Sequence, residues 1–160
     1  MIPRALPRAA AAFWLLVAAL PRPVAGAETL CLTLDGEERK ATFAVGVGDK
    51  LALAFTHSIY GTQVEEHFRI GAGAFQLFQL RYEELRLVEF YGHESARLEN
   101  GWWVVDQVGG ELAALDLRAS QDASMRVVFR DHQIFFIGGK SSDSGHAQLS
   151  VNACPRENHG

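Results

Sequence analysis

Residues Leu51 to Ile70, LALAFTHSIYGTQVEEHFRI, decide the fold. Side chains alternate across an extended chain, so Leu51, Leu53, Phe55, His57 and Ile59 share one face of a first strand. Val64, Glu66, Phe68 and Ile70 share one face of a second. Between them, Tyr60-Gly61-Thr62-Gln63 places glycine at the first central position of a two-residue loop, the signature of a type II′ turn. That turn predicts a hairpin in which Ile59 opposes Val64, His57 opposes Glu66, Phe55 opposes Phe68 and Leu53 opposes Ile70. One His–Glu pair is then bracketed by apolar pairs, and a slip of one residue would turn every side chain to the wrong face.

An isolated carboxylate on an apolar face is costly, so Glu66 needs a partner, and His57 is the one this register offers. The opposite face carries Thr56, Ser58, Glu65, His67 and Arg69, with Ser58 opposite Glu65 and Thr56 opposite His67. Three roles are open to this hairpin. The first is a satisfied structural pair inside a β core. The second is a ligand site lined by His57, Ser58, Glu65, Glu66 and His67 at the mouth of a barrel or sandwich. The third is hydrolysis, with Ser58, His67 and Glu65 as nucleophile, base and orienter, although no strained elbow or glycine-rich oxyanion loop accompanies them.

His57, His67, His93 and His146, with Glu65 and Glu66, hold donors suited to zinc or copper. The H-E-x-x-H pattern fails at His93-Glu94, because Arg97 stands where its second histidine belongs. The residues leave the metal and the cofactor open. Gly138-Gly139-Lys140-Ser141 looks like the end of a phosphate loop, but Ile134 occupies the position of the required first glycine. That stretch reads as a turn between the last two strands. Of Trp102 and Trp103, which alternate across a strand, one is expected in the core and one as a cover.

Outward from the hairpin the period stays at two. Candidate strands are Thr29–Leu34, Lys40–Val45, Lys50–Ser58, Val64–Ile70, Phe75–Tyr82, Trp102–Val108, Glu111–Leu117, Met125–Phe129, Gln133–Ile137 and Gln148–Cys154. Gly-rich and Asn/Asp-rich turns separate them, including Asp35-Gly36, Asn100-Gly101, Gly109-Gly110 and Asp131-His132. Short, closely spaced strands of this kind predict an all-β fold, a single compact antiparallel sandwich or barrel of about ten strands. Glu83 to Glu99 resists the pattern. A short helix, a strand through Leu87–Tyr91 and a long excursion all fit it, and Glu94 with Arg97 at helical spacing favours a turn or two of helix.

The first 27 residues read as a cleavable signal peptide. Arg4 and Arg8 form a basic start, Ala9–Leu20 an apolar run too short to span a bilayer, and Ala25-Gly26-Ala27 a small-x-small cleavage site. The expected mature chain, Glu28 to Gly160, is one domain in length. Its expected location is the periplasm or the exterior, an oxidising setting in which Cys31 and Cys154 can form a disulfide between the first and last strands. Two separate buried thiols are the alternative. The whole chain has 15 Lys and Arg against 19 Asp and Glu. Without Arg4, Arg8 and Arg22 the balance is 12 against 19, a formal charge of −7. That argues against nucleic acid as a partner, since binding phosphates takes clustered cations.

The block Thr56-His57-Ser58-Ile59-Tyr60-Gly61-Thr62-Gln63-Val64-Glu65-Glu66 resembles a family of small exported proteins, a domain of unknown function, encoded beside TAXI-type TRAP transporters. The similarity takes in Phe75–Tyr82 and Phe90-Tyr91-Gly92, with Gln63 where that family often has proline. The resemblance implies a periplasmic or cell-surface accessory of organic-acid uptake. Its expected partners are transporter subunits or a solute-binding protein, and a small organic acid is its expected ligand. The resemblance brings no catalytic residues. The expectation is therefore a non-enzymatic accessory or binding protein, with a metal- or ligand-dependent hydrolase built on His57 and Glu66 as the alternative.

Overall fold

The computed structural model describes residues 29–36, 39–106, 108–118, 124–137 and 145–155. The expected signal peptide, 1–27, and the turn assigned to Gly138–Ser141 lie outside the described residues. Twelve strands and one short helix occur among those described: β1 (Leu30–Gly36), β2 (Lys40–Val45), β3 (Lys50–Thr56), β4 (Gln63–Ile70), β5 (Phe75–Tyr82), α1 (Leu85–Phe90), β6 (Arg97–Glu99), β7 (Trp102–Asp106), β8 (Glu111–Leu112), β9 (Ala114–Arg118), β10 (Met125–Phe129), β11 (His132–Ile137) and β12 (His146–Ala153).

The strands form two antiparallel sheets. The smaller runs β2-β1-β12-β9; the larger runs β11-β10-β3-β4-β5-β7-β6, with β8 also on β5. The fold is thus a sandwich. Its main core joins Leu32, Leu34, Leu117, Leu149 and Val151 of the smaller sheet to Leu51, Leu53, Phe68, Ile70, Val127 and Phe129 of the larger. A second cluster, Val64, Leu80, Tyr82, Leu87, Val88 and Val105, contains no residue of the smaller sheet. Leu87 and Val88 of α1 cover that part of the large sheet instead, because a sheet face must be buried against something. Trp103 packs against this cluster, while Arg81 lies over the ring of Trp102 at 4.8 Å.

Cys31 and Cys154 form a disulfide that links residues 123 apart in sequence. It ties the start of β1 to the residue just past β12, where Cys154 N–H donates to the Thr29 carbonyl at 2.8 Å.

Two irregularities aim side chains. Opposite His67 and Phe68, β5 carries an extra residue, Phe78, between Leu77 and Gln79. A bulge breaks the alternation, and Phe78 consequently joins the outer face, edge-on to His67 at 6.2 Å. Opposite Val127 and Val128, β11 carries the extra residue Ile134, and both Ile134 and Phe135 enter the core.

The resistant segment resolves into two elements. Residues Leu85–Phe90 are helical, whereas Arg97 begins strand β6, so the helix lies upstream of the Glu94–Arg97 spacing that suggested it. The expected strand Glu111–Leu117 is broken at Ala113 into β8, on the large sheet, and β9, on the small one. The β10–β11 turn is Arg130-Asp131, one residue earlier than read from the sequence, with φ of 49° and 63°.

The hairpin register also differs from the expected one. Strands β3 and β4 pair Phe55 with Val64, Leu53 with Glu66 and Leu51 with Phe68, ending at Thr56 opposite Gln63. The link is not a two-residue II′ turn but the six residues His57–Thr62. His57 N–H donates to the Thr62 carbonyl and Gly61 N–H to the His57 carbonyl, both at 2.8 Å. His57 Nδ1 accepts from the backbone N–H groups of Ile59 and Tyr60 at 3.3 and 3.4 Å. The imidazole thus supplies an acceptor that lets the chain leave the sheet after Thr56. Gly61 closes the loop with φ 68°, a conformation open to glycine at little cost. Because the offset is even, every strand residue keeps its expected face.

Candidate functional site

This register divides the five candidate residues. His57 is buried within the loop, and its Nε2 lies 3.1 Å from the Tyr91 hydroxyl rather than opposite Glu66. Ser58 is exposed in the turn and faces neither Glu65 nor His67, so the expected nucleophile–base–orienter set is not assembled. Glu65 and His67 remain together on the outer face of the large sheet. Glu66 points to the inner face, flanked by Leu53 and Leu80.

The outer face holds a cleft of about 650 Å³. Its floor is Ala52 and Ala54, whose small side chains leave a hollow at the centre of the sheet. The register places Arg126, Ala54, Glu65 and Arg81 in one row across β10, β3, β4 and β5. Three strand spacings, about 14 Å of backbone, separate the two arginines. Lys50 and Arg130 line the other end. Glu65 Oε2 accepts from Arg81 at 2.8 Å and contacts His67 Nε2 at 3.0 Å. The His67 hydrogen bond, with help from Arg81 and Arg126, holds the Glu65 carboxyl below its usual range despite partial burial. Arg130 pairs with Asp49 at 2.8 Å and lies over the Phe129 ring. Arg126 makes no hydrogen bond or ion pair among the described residues. Four fixed cations line this hollow against two carboxylates, Glu65 and Asp131, with Asp49 a third beside it on Arg130. In a chain of net negative charge, that local excess suits an anionic guest, and arginine is the residue that grips a carboxylate bidentately.

The inner face holds a different constellation. Glu66 lies between the two core clusters, with Val64 in one and Phe68 in the other. Among the described residues it has no hydrogen-bond partner, and burial raises its carboxyl above the ordinary value. Tyr82 and Tyr91 stack at 5.7 Å, and the Tyr82 hydroxyl lies 2.9 Å from His93 Nε2. Both phenols are pushed up, first by burial; the Glu66 charge adds to both and Tyr91 to Tyr82. The expected His57–Glu66 pair is therefore not formed, and Tyr91 takes the place of Glu66 as the partner of His57 Nε2.

No group of three or more His, Cys, Asp or Glu among the described residues is arranged to hold a metal. His67 lies on the outer face, His146 lies 4.0 Å from Asp116 on the small sheet, and His57 and His93 engage tyrosines.

Sequence reasoning missed Lys50, Arg81 and Arg126 at the cleft and Tyr82 and Tyr91 on the inner side, and it offered His93 only as a metal donor. Lys50 and Arg126 were legible in principle, since alternation puts each on the polar face of its strand; Arg81 shares the period of Phe75 and Leu77, and the bulge at Phe78 is what turns it outward. Tyr91 and His93 belong to the segment that no periodicity explained.

Fold and cleft define an antiparallel β-sandwich with a cationic hollow on its larger sheet. A family model described as a domain of unknown function, DUF1850, matches residues 51–136, and the chain belongs to that family. The match runs from β3 into β11 and includes both the cleft and the tyrosine cluster. No curated protein and no solved structure matches the chain.

Proposed function

We propose that this is an exported, non-enzymatic binding protein that serves as an accessory to TAXI-type TRAP solute uptake and holds a small organic acid in the outer-face cleft. The observation that carries the binding reading is the hollow over Ala52 and Ala54, with Arg126 at its rim making no ion pair among the described residues. A carboxylate entering there would gain charge-assisted hydrogen bonds without displacing Arg81 from Glu65. The disulfide and the signal-like N-terminus support export to an oxidising compartment. The resemblance carried by Thr56–Glu66 supports the link to a transporter. The hydrolase alternative rested on His57 meeting Glu66, and the register does not place them opposite one another.

Calorimetric titration of the mature chain with a panel of organic acids tests the binding reading. At least one should bind, and Arg126→Ala should weaken it tenfold or more while Lys40→Ala, on the small sheet, leaves it unchanged. Affinities equal across the three proteins would remove the cleft as the site. The accessory role requires that the tagged chain, isolated from envelopes, retains a TAXI-type binding protein or membrane subunit; recovery of neither would refute it.

A further inference from the structure

Beyond the cleft, exposed apolar side chains include a group at the β3–β4 loop and the end of α1. Ile59 in the β3–β4 loop is 69% exposed, Phe90 at the end of α1 52%, and Tyr91 just after it 48%. The two aromatic side chains are held in place rather than loose, and the backbone of Ile59 is held beside them. The Phe90 ring meets the rings of Tyr60 at 5.6 Å, Tyr91 at 5.2 Å and His57 at 5.6 Å, all edge-on. Tyr91 is pinned through its hydroxyl to His57, whose Nδ1 holds the backbone N–H of Ile59. One buried imidazole therefore organises all three exposed residues. Fixed aromatic surface is the kind that anchors interfaces, because little side-chain freedom is lost on contact.

The charge around the patch is one-sided. From Glu83 to Glu94 the chain has Glu83, Glu84, Glu89 and Glu94 against Arg86 alone. Arg86 is taken up by Glu84 and lies over the Tyr60 ring at 5.0 Å. Glu89 and Glu94 are exposed and have no ion pair among the described residues. Such a rim repels an anionic lipid surface and attracts cations.

We infer that Ile59, Phe90 and Tyr91 form a docking surface for a cationic amphipathic segment of a partner protein, with apolar side chains seated on the aromatic patch and flanking lysines or arginines on Glu89 and Glu94. This surface is separate from the cleft, so a partner and a small anion can be held at once.

The probes are three synthetic 18-residue peptides: an amphipathic Leu/Lys helix, a Leu/Lys peptide of the same composition with its apolar face scrambled, and an amphipathic Leu/Glu helix. Binding to the mature chain is read by fluorescence anisotropy. The amphipathic Leu/Lys peptide should bind at least tenfold more tightly than the scrambled one. Ile59→Ser with Phe90→Ser should abolish that preference, with circular dichroism confirming the fold. Glu89→Lys with Glu94→Lys should transfer the preference to the Leu/Glu peptide, whereas the equal charge change Glu111→Lys with Asp116→Lys should not. Equal binding of the scrambled peptide, or equal effects of the two charge reversals, would overturn the proposal. So would patch-dependent dimerisation in analytical ultracentrifugation, or patch-dependent binding to phosphatidylcholine vesicles, which would assign the surface to another occupant.

Discussion

Glu65 and Glu66 are joined by one peptide bond and live in opposite surroundings. On the outer face, Glu65 accepts from Arg81 and meets His67, and these contacts favour its ionised form. On the inner face, Glu66 stands between Leu53 and Leu80 with no polar partner among the described residues, and burial favours its neutral form. The two side chains are chemically identical. What separates them is the alternation of a strand, together with whatever β3 and β5 set opposite. One face of β4 thereby becomes a charged outer surface and the other a seam in the core.

The largest effect should leave this contrast intact. Replacing both Cys31 and Cys154 by serine should lower stability by about 4–5 kcal/mol in urea unfolding, because the bridge closes a very long loop. It acts on the smaller sheet, so organic-acid binding at the cleft should survive under conditions where the variant is folded. A loss under about 1 kcal/mol would mean that β1 and β12 hold together without the bridge.

Next come two neighbours on opposite faces of β4. Phe68→Ala should cost about 3–5 kcal/mol, since Phe68 is fully buried between the sheets. Arg69→Ala should cost less than about 1 kcal/mol, the worth of an exposed guanidinium over the Phe78 ring. Similar costs in thermal unfolding would show that the two faces are not distinguished as described.

The glutamates themselves sharpen the comparison through pH. Glu65→Gln should cost about 1.5–3 kcal/mol at neutral pH, as hydrogen bonds to charged groups do. Its folded carboxyl lies below the ordinary value of 4.5, so this contribution is present above that value and is lost as pH falls through the folded one. Glu66 has the opposite sign. Its folded carboxyl lies above 4.5, so ionisation disfavours the folded state as pH rises through that window. Glu66→Gln should therefore gain stability relative to the wild type above pH 4.5, while Glu65→Gln gains relative stability below it. Parallel pH profiles for the two variants would erase the distinction.

The smallest effect tests the link across the seam. Tyr91→Phe removes one hydrogen bond to His57 Nε2 and should cost about 0.5–1.5 kcal/mol. It should also loosen the 57–62 loop, read as faster amide exchange at Ile59 and Tyr60 with no change at the cleft.

Much of this was written along the chain. Lys40–Val45, Phe75–Tyr82 and Met125–Phe129 match their expected strands residue for residue. The Asn100-Gly101 turn closes the β6–β7 hairpin with positive φ at both residues, as that dipeptide predicts. The faces of β3 and β4 were also correct, because alternation is a local property and an even register error preserves it. The register itself was not local. The His57 imidazole satisfies the nearby N–H groups of Ile59 and Tyr60, but it is held there by Tyr91 from 34 residues away. The same holds for the bulge that turns Phe78 outward and for the row that brings Arg126 beside Ala54.

By itself, then, the sequence determined most of the strands and, away from bulges, which side chains share a face, since both follow from covalent geometry and a period of two. Only the tertiary structure decided which residue stands opposite which. That choice is made by contacts between distant segments, and it set Glu65 beside Arg81 and His67 and Glu66 between Leu53 and Leu80.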